Sequence, residues 1–67
     1  MRREMTLIYH FFYGGKLFAT FKTREGAFTF VLGTKWEEDQ AIGNIFRVWK
    51  CTNYPHDFYI EEGELMD

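Results

Sequence analysis

The chain has one cysteine, no serine and no long apolar run. A single cysteine, Cys51, excludes an internal disulfide and therefore the stapled secreted mini-domains, which favours a reducing cytosol. Without serine the commonest hydroxyl nucleophile is missing, and Cys51 has no plausible general base. No stretch approaches the ~18 apolar residues of a membrane helix, so we expect a cytoplasmic protein without membrane partners.

Aromatic side chains are abundant by contrast. Fourteen of the 67 residues are Phe, Tyr or Trp. One domain of this size buries roughly 60% of its surface, and each ring buries about 150–250 Å². Fourteen rings exceed the need of one small core, so we expect a homodimer or a bound partner.

The charges are distributed unevenly along the chain. Residues 1–35 carry six basic and two acidic side chains, whereas residues 36–67 carry two basic and eight acidic ones. This asymmetry is a hint about binding partners, although a mixed, solvated surface would also explain it.

A β-hairpin is the clearest local prediction. Gly14-Gly15 suits a primed turn between two strands at about 6–13 and 16–22. Because side chains alternate along a strand, the paired strands have two distinct faces. The predicted core face carries Ile8, His10, Phe12, Leu17, Ala19 and Phe21. The opposite, surplus aromatic face carries Leu7, Tyr9, Phe11, Tyr13, Lys16, Phe18, Thr20 and Lys22.

The segment after the hairpin has two interpretations. Thr23 is a candidate N-cap, Glu25 lies in the first turn and Gly33 suits the C-terminal end, which predicts a helix over about 24–32. Against this, Phe28-Thr29-Phe30-Val31 has strong strand propensity and Gly26 weakens a helix. A third strand, in an all-β meander, is therefore the alternative.

The second half is predicted from turn and capping signals. A capping-box pattern from Thr34 to Glu37 predicts a short helical turn over about 35–42. Strands are predicted at about 45–52 and 57–61, separated by a turn that contains Pro55. Residues 1–5 are expected to be a frayed start and residues 61–67 a loose acidic tail.

Together these elements predict one α+β domain over 1–67. An antiparallel sheet of three or four strands carries the helix on the face of Ile8, Phe12, Leu17 and Phe21.

The hairpin and the start of the predicted helix carry a resemblance to known proteins. Gly-Gly-Lys-Leu-Phe-Ala-Thr-Phe followed by Thr-Arg-Glu-Gly-Ala resembles small orphan proteins of bacteriophages and prophages, over about residues 8–32. The resemblance implies an accessory phage protein that binds and alters a host protein in the host cytoplasm. It implies no catalytic residue.

No constellation of residues indicates an enzyme, a cofactor or a metal site. His10 is isolated on an apolar face and is interpreted as a core-edge histidine. Cys51 and His56 are too few ligands for zinc, which takes four. The consecutive acids at 37–39 point in different directions and are typical of a solvated surface. We therefore expect a non-enzymatic protein.

The surplus aromatic face is the predicted binding site. Exposed aromatic clusters mark protein interfaces, so we expect this face to bind a host protein or a second copy. The same rings with nearby lysines would also suit single-stranded nucleic acid, which the acidic second half disfavours. A third interpretation buries these rings within the fold. The predicted binding residues are Tyr9, Phe11, Tyr13, Lys16, Phe18 and Lys22.

Overall fold

The computed structural model describes residues 6–40, 43 and 46–65. In chain order the elements are β1 (Thr6–Tyr13), β2 (Lys16–Phe21), α1 (Arg24–Thr29), β3 (Trp36–Asp39), β4 (Arg47–Cys51) and β5 (Phe58–Leu65). The strands form one antiparallel sheet in the order β2-β1-β5-β4-β3. An antiparallel sheet with a helix is confirmed. The described residues contain five strands rather than three or four, so the architecture also lies close to the all-β alternative.

The hairpin turn has the predicted geometry. Gly14 and Gly15 have φ of +58° and +82°, a left-handed conformation that glycine adopts without strain. Beyond the turn the register shifts: Phe12 pairs with Leu17 and Phe11 with Ala19, so β2 has one extra residue between these two pairs. Phe18 is that extra residue, a β-bulge that the residue pattern does not predict.

The core lies on the opposite face of β1 from the one predicted. Its buried apolar residues are Tyr9, Phe11, Ala27, Trp49, Phe58 and Ile60. The predicted core face was wrong because each of the two alternating sets in β1 contains large apolar residues, and alternation alone does not choose between them.

Neighbouring elements decide which set is buried. Phe11 lies opposite Ile60 in β5, and the helix packs against β1 and β2 on this side. The bulge also turns Ala19 and Phe21 towards this face, since they pair with Phe11 and Tyr9. We call it the helix face and the other side of the sheet the open face.

Helix α1 is capped as predicted but is shorter. The Thr23 hydroxyl accepts a hydrogen bond from the Gly26 amide at 3.0 Å. A Cβ at Gly26 would lie 2.9 Å from that hydroxyl oxygen, which explains a glycine inside the helix. The helix ends at Thr29 instead of residue 32, so Gly33 lies in the following turn rather than at the helix end.

The predicted helical turn over 35–42 is wrong where the structure describes it. Residues 36–39 form β3, in which Trp36 pairs with Cys51 of β4. The Thr34 hydroxyl donates to the Val31 carbonyl at 3.0 Å instead of capping a helix. Residues 41 and 42 lie outside the described residues. Strand pairing satisfies the backbone of this segment in place of helical bonds.

The acidic tail is ordered further than predicted. Strand β5 continues to Leu65, whose pairing partner is Thr6 of β1. The expectation of a loose tail from residue 61 is therefore wrong up to residue 65. Strand β4 begins at Arg47, and the predicted start of that strand at residue 45 lies outside the described residues, as do residues 1–5 and 66–67.

Candidate functional site

An open aromatic cleft lies on the helix face, near the hairpin turn. It encloses about 310 Å³. Its side chains are all apolar or aromatic and come from three strands and the turn after α1. They are Phe11, Tyr13, Phe18, Phe30, Val31 and Phe58. Such concave apolar surfaces are typical of binding sites.

The floor of the cleft belongs to the core. Phe11 and Phe58 are buried, and their ring centroids lie 5.5 Å apart. The ring of Phe30 meets Phe11 edge to face at 5.1 Å. Aromatic pairs at such distances contribute beyond their buried area. The floor of the cleft is therefore part of the packed core.

The rim consists of rings that remain open to solvent. Phe18 is 65% exposed, Phe30 is 44% exposed and Tyr13 is 43% exposed. The Phe18 and Phe30 centroids lie 5.8 Å apart, so the rings touch while each keeps an exposed side. Nearby Leu32 is also exposed. An occupant of the cleft would bury this apolar surface and gain hydrophobic free energy.

Local sequence features position the rim. The bulge places Phe18 on the same face as Phe11, and the early end of α1 leaves Phe30 outside the helix. The Gly14-Gly15 turn holds Tyr13 at the end of β1. Each rim ring therefore stands at a point where regular structure ends or is interrupted.

The loop before β5 supports the rim through polar contacts. The Tyr13 hydroxyl and His56 Nδ1 lie 3.3 Å apart. The Gly14 amide donates to the Asp57 carbonyl at 3.1 Å, and the Tyr54 hydroxyl donates to the Leu32 carbonyl at 3.0 Å. These bonds join the loop to the hairpin and to the turn after α1, so the rim is braced from two sides.

The six predicted binding residues are two buried rings, two rim rings and two exposed lysines. Tyr9 is buried away from the cleft, and Phe11 forms its floor. Tyr13 and Phe18 form its rim. Lys16 pairs with Tyr13 across the hairpin and is exposed, whereas exposed Lys22 lies at the other end of β2. The expectation of one exposed patch is wrong for Tyr9 and Phe11, which are buried as the third interpretation has it, because the helix packs against that face of β1; Phe18 is exposed.

Phe30 is the cleft residue that the sequence pattern did not single out. The helix predicted over about 24–32 includes Phe30, and one exposed side chain on a surface helix does not indicate a site. The signal was the strand-like run at 28–31, which disfavours continuing a helix. Interpreting that run as an early helix end would have placed Phe30 in a turn.

A buried hydrogen bond between Tyr9 and Glu62 lies on the helix face, outside the cleft. Glu62 is buried, and the Tyr9 hydroxyl donates to its Oε2 at 2.8 Å. Burial, and then this bond to Glu62, raises the pKa of Tyr9 above its ordinary value. Arg47 is the β4 neighbour of Glu62 in the register. Because Tyr9 and Glu62 are cross-strand partners, their bond ties β1 to β5.

The remaining candidates are explained by local contacts. His10 lies on the open face, where its Nδ1 is 3.0 Å from the Thr20 hydroxyl. The half-buried Cys51 thiol contacts Asn53 Oδ1 at 3.2 Å. Within the described ranges, no three His, Cys, Asp or Glu side chains are grouped to hold a metal ion.

Comparison with known proteins adds no relative. No protein family model matches the chain, and neither a curated protein nor a solved structure is significantly similar to it. Over the part of the chain that the structure describes, no helix has the length and apolar composition to cross a membrane. The aromatic cleft is therefore the strongest basis for a function.

Proposed function

We propose that this chain is a protein-binding module whose contact surface is the aromatic cleft. The observation that carries the proposal is the exposure of Phe18, Phe30 and Tyr13 around a concave, wholly apolar lining. Interface energy concentrates where rigid rings form such pockets. A partner would insert an aromatic or large aliphatic side chain between these rings.

The resemblance to small phage proteins makes a bacterial host protein the predicted partner, which the chain would inhibit or redirect. Single-stranded nucleic acid remains the alternative. The all-apolar lining supports a protein partner instead, because phosphate binding needs several basic contacts and Lys16 is the basic residue paired with the rim.

A matched pair of variants tests the cleft. Phe18→Ser removes a rim ring, whereas Leu17→Ser changes the adjacent, similarly exposed residue of β2, which pairs with Phe12 and faces the open side. Both substitutions are at exposed positions, so both variants should keep the melting temperature within a few degrees. N-acetyl-tryptophanamide should shift the amide resonances of Phe18 and Phe30 in the parent and in Leu17→Ser, but not in Phe18→Ser.

Capture from nuclease-treated bacterial lysate provides the second measurement. We expect the parent and Leu17→Ser to retain a stoichiometric protein at high salt and Phe18→Ser to lose it. Equal retention by both variants would contradict the cleft as the contact surface. Recovery of nucleic acid that salt releases steeply would favour the alternative.

A further inference from the structure

Strand β2 is an edge of the sheet that the described residues form. Its partner is β1, and no other described strand lies beyond it. Within the described part of the chain, no strand pairs with the β2 amides and carbonyls that point away from β1, which leaves this edge for pairing with another chain. Leu17 and Phe18 leave most of their side-chain surface exposed at this edge.

Basic side chains bracket this edge. Lys16 begins β2 and Lys22 follows it directly, while the residues between them, 17–21, carry no charge. Arg24 at the start of α1 adds a third cation, against Glu25 as the neighbouring acid. Both lysines lie at the ends of this edge rather than at its centre, so the uncharged residues between them stay accessible and the lysines attract acids to the flanks.

The cleft adjoins the same edge. Phe18 belongs both to β2 and to the rim, and its ring contacts Phe30. In an added strand, alternate side chains would point to the helix face and pack on these two rings. One peptide would then both pair with the backbone of β2 and contact the rim of the cleft.

We propose that the partner segment is an extended peptide that pairs with the outer edge of β2 and carries acidic residues on both sides of an apolar centre. This inference rests on the proposed function: the partner's apolar side chain that enters the cleft would belong to an extended strand. Main-chain bonds supply affinity in such strand addition, and the flanking charges select the sequence. Since a lysine stands at each end, acidic flanks fit either strand direction.

Selection from a random ten-residue peptide library tests the charge requirement. The immobilised full chain should enrich peptides with alternating apolar residues and acidic flanks. A variant with Lys16→Glu and Lys22→Glu should enrich basic flanks instead. The control, Lys35→Glu with Lys50→Glu, changes the net charge equally near the opposite edge and should still enrich acidic flanks. Flanks that do not follow the β2 charges, or no enrichment, would overturn the proposal.

N-methylated versions of the selected peptide test strand pairing. Methylation at alternate backbone positions should weaken binding about tenfold, whereas methylation at the intervening positions should not, because only one set of amides faces β2. Equal tolerance at every position would overturn strand addition.

Further outcomes separate this inference from the cleft proposal. A peptide that Phe18→Ser releases but that tolerates N-methylation and the lysine changes would support the cleft and overturn strand addition. A peptide that still binds Phe18→Ser but that N-methylation and the lysine changes weaken would support strand addition and contradict the cleft. Sedimentation of the parent chain tests whether a second copy is the occupant. If the chain self-associates and the double variant Glu37→Lys with Glu38→Lys does not, the acidic β3 edge of a second copy occupies β2. That result would overturn the proposal of a separate partner.

Discussion

Strands β1 and β2 have similar composition and opposite burial. Both are rich in Phe and aliphatic residues. Strand β1 lies between β2 and β5 and contains fully buried Phe11, whereas the edge strand β2 contains Phe18, which is mostly exposed. The two phenylalanines even line the same cleft. Position in the sheet, rather than residue type, therefore decides whether a ring stabilises the fold or remains available for binding.

The largest expected effect is at the centre of β1. Phe11→Ala removes a ring that contacts Phe30, Trp36 and Phe58 and should lower the free energy of unfolding by about 3–5 kcal/mol. Phe18→Ala should cost less than about 1 kcal/mol because its ring is already largely in water. Urea denaturation followed by far-UV circular dichroism measures both. Equal losses would contradict the assignment of core and rim.

The sequence was sufficient for the hairpin and for the start of the helix. Gly14-Gly15 and Thr23 act through their immediate neighbours, so local rules describe them correctly. The burial of Tyr9 and Phe11 depends on β5, whose pairing partner lies about fifty residues away in the chain. No local pattern identifies that pairing, and the sequence therefore predicts the core on the wrong face of β1.

The site could be predicted only in part for the same reason. Tyr13, Lys16 and Phe18 were expected near the hairpin turn, and they lie there. The cleft also needs the bulge at Phe18 and the early helix end before Phe30. Both are backbone irregularities, which regular strand alternation and helical periodicity do not describe.

The open face should tolerate truncation better than the helix face. Phe12 is half-buried, and its ring stacks on Tyr59 at 4.8 Å. Phe12→Ala should cost about 1–2 kcal/mol, since only part of the ring surface and one stacking contact are lost. Urea titrations of Phe12→Ala and Phe11→Ala compare the faces directly. A larger loss for Phe12→Ala would restore the core face predicted from the sequence.

The helix cap should have a smaller effect. Thr23→Ala removes the side-chain oxygen that accepts from the Gly26 amide and should lower stability by about 1 kcal/mol. Thr23→Ser keeps the hydroxyl and is the matched control. Because α1 covers β1, the loss should appear as faster amide exchange in Ala27 before it affects β5. A neutral Thr23→Ala would mean that tertiary packing alone holds the helix.

The smallest expected effect is a loss of stability in alkali. Burial raises the pKa of Tyr9 on the helix face, and that of Tyr59 on the open face, above the ordinary value of 10.0. Above pH 10 the unfolded chain releases these protons while the folded chain retains them. The free energy of unfolding should therefore fall as pH rises through this range.

Tyr9→Phe separates the helix-face contribution from the rest. At pH 7 the variant loses the bond to Glu62 and should be less stable than the parent. Above pH 10 the difference in free energy of unfolding between parent and variant should narrow, because the variant lacks the Tyr9 hydroxyl whose raised pKa destabilises the parent in alkali. Tyr59→Phe applies the same test to the open face. Urea midpoints measured from pH 8 to 11 follow both variants, and a Tyr9→Phe curve parallel to that of the parent would show that the Tyr9 proton is not linked to folding.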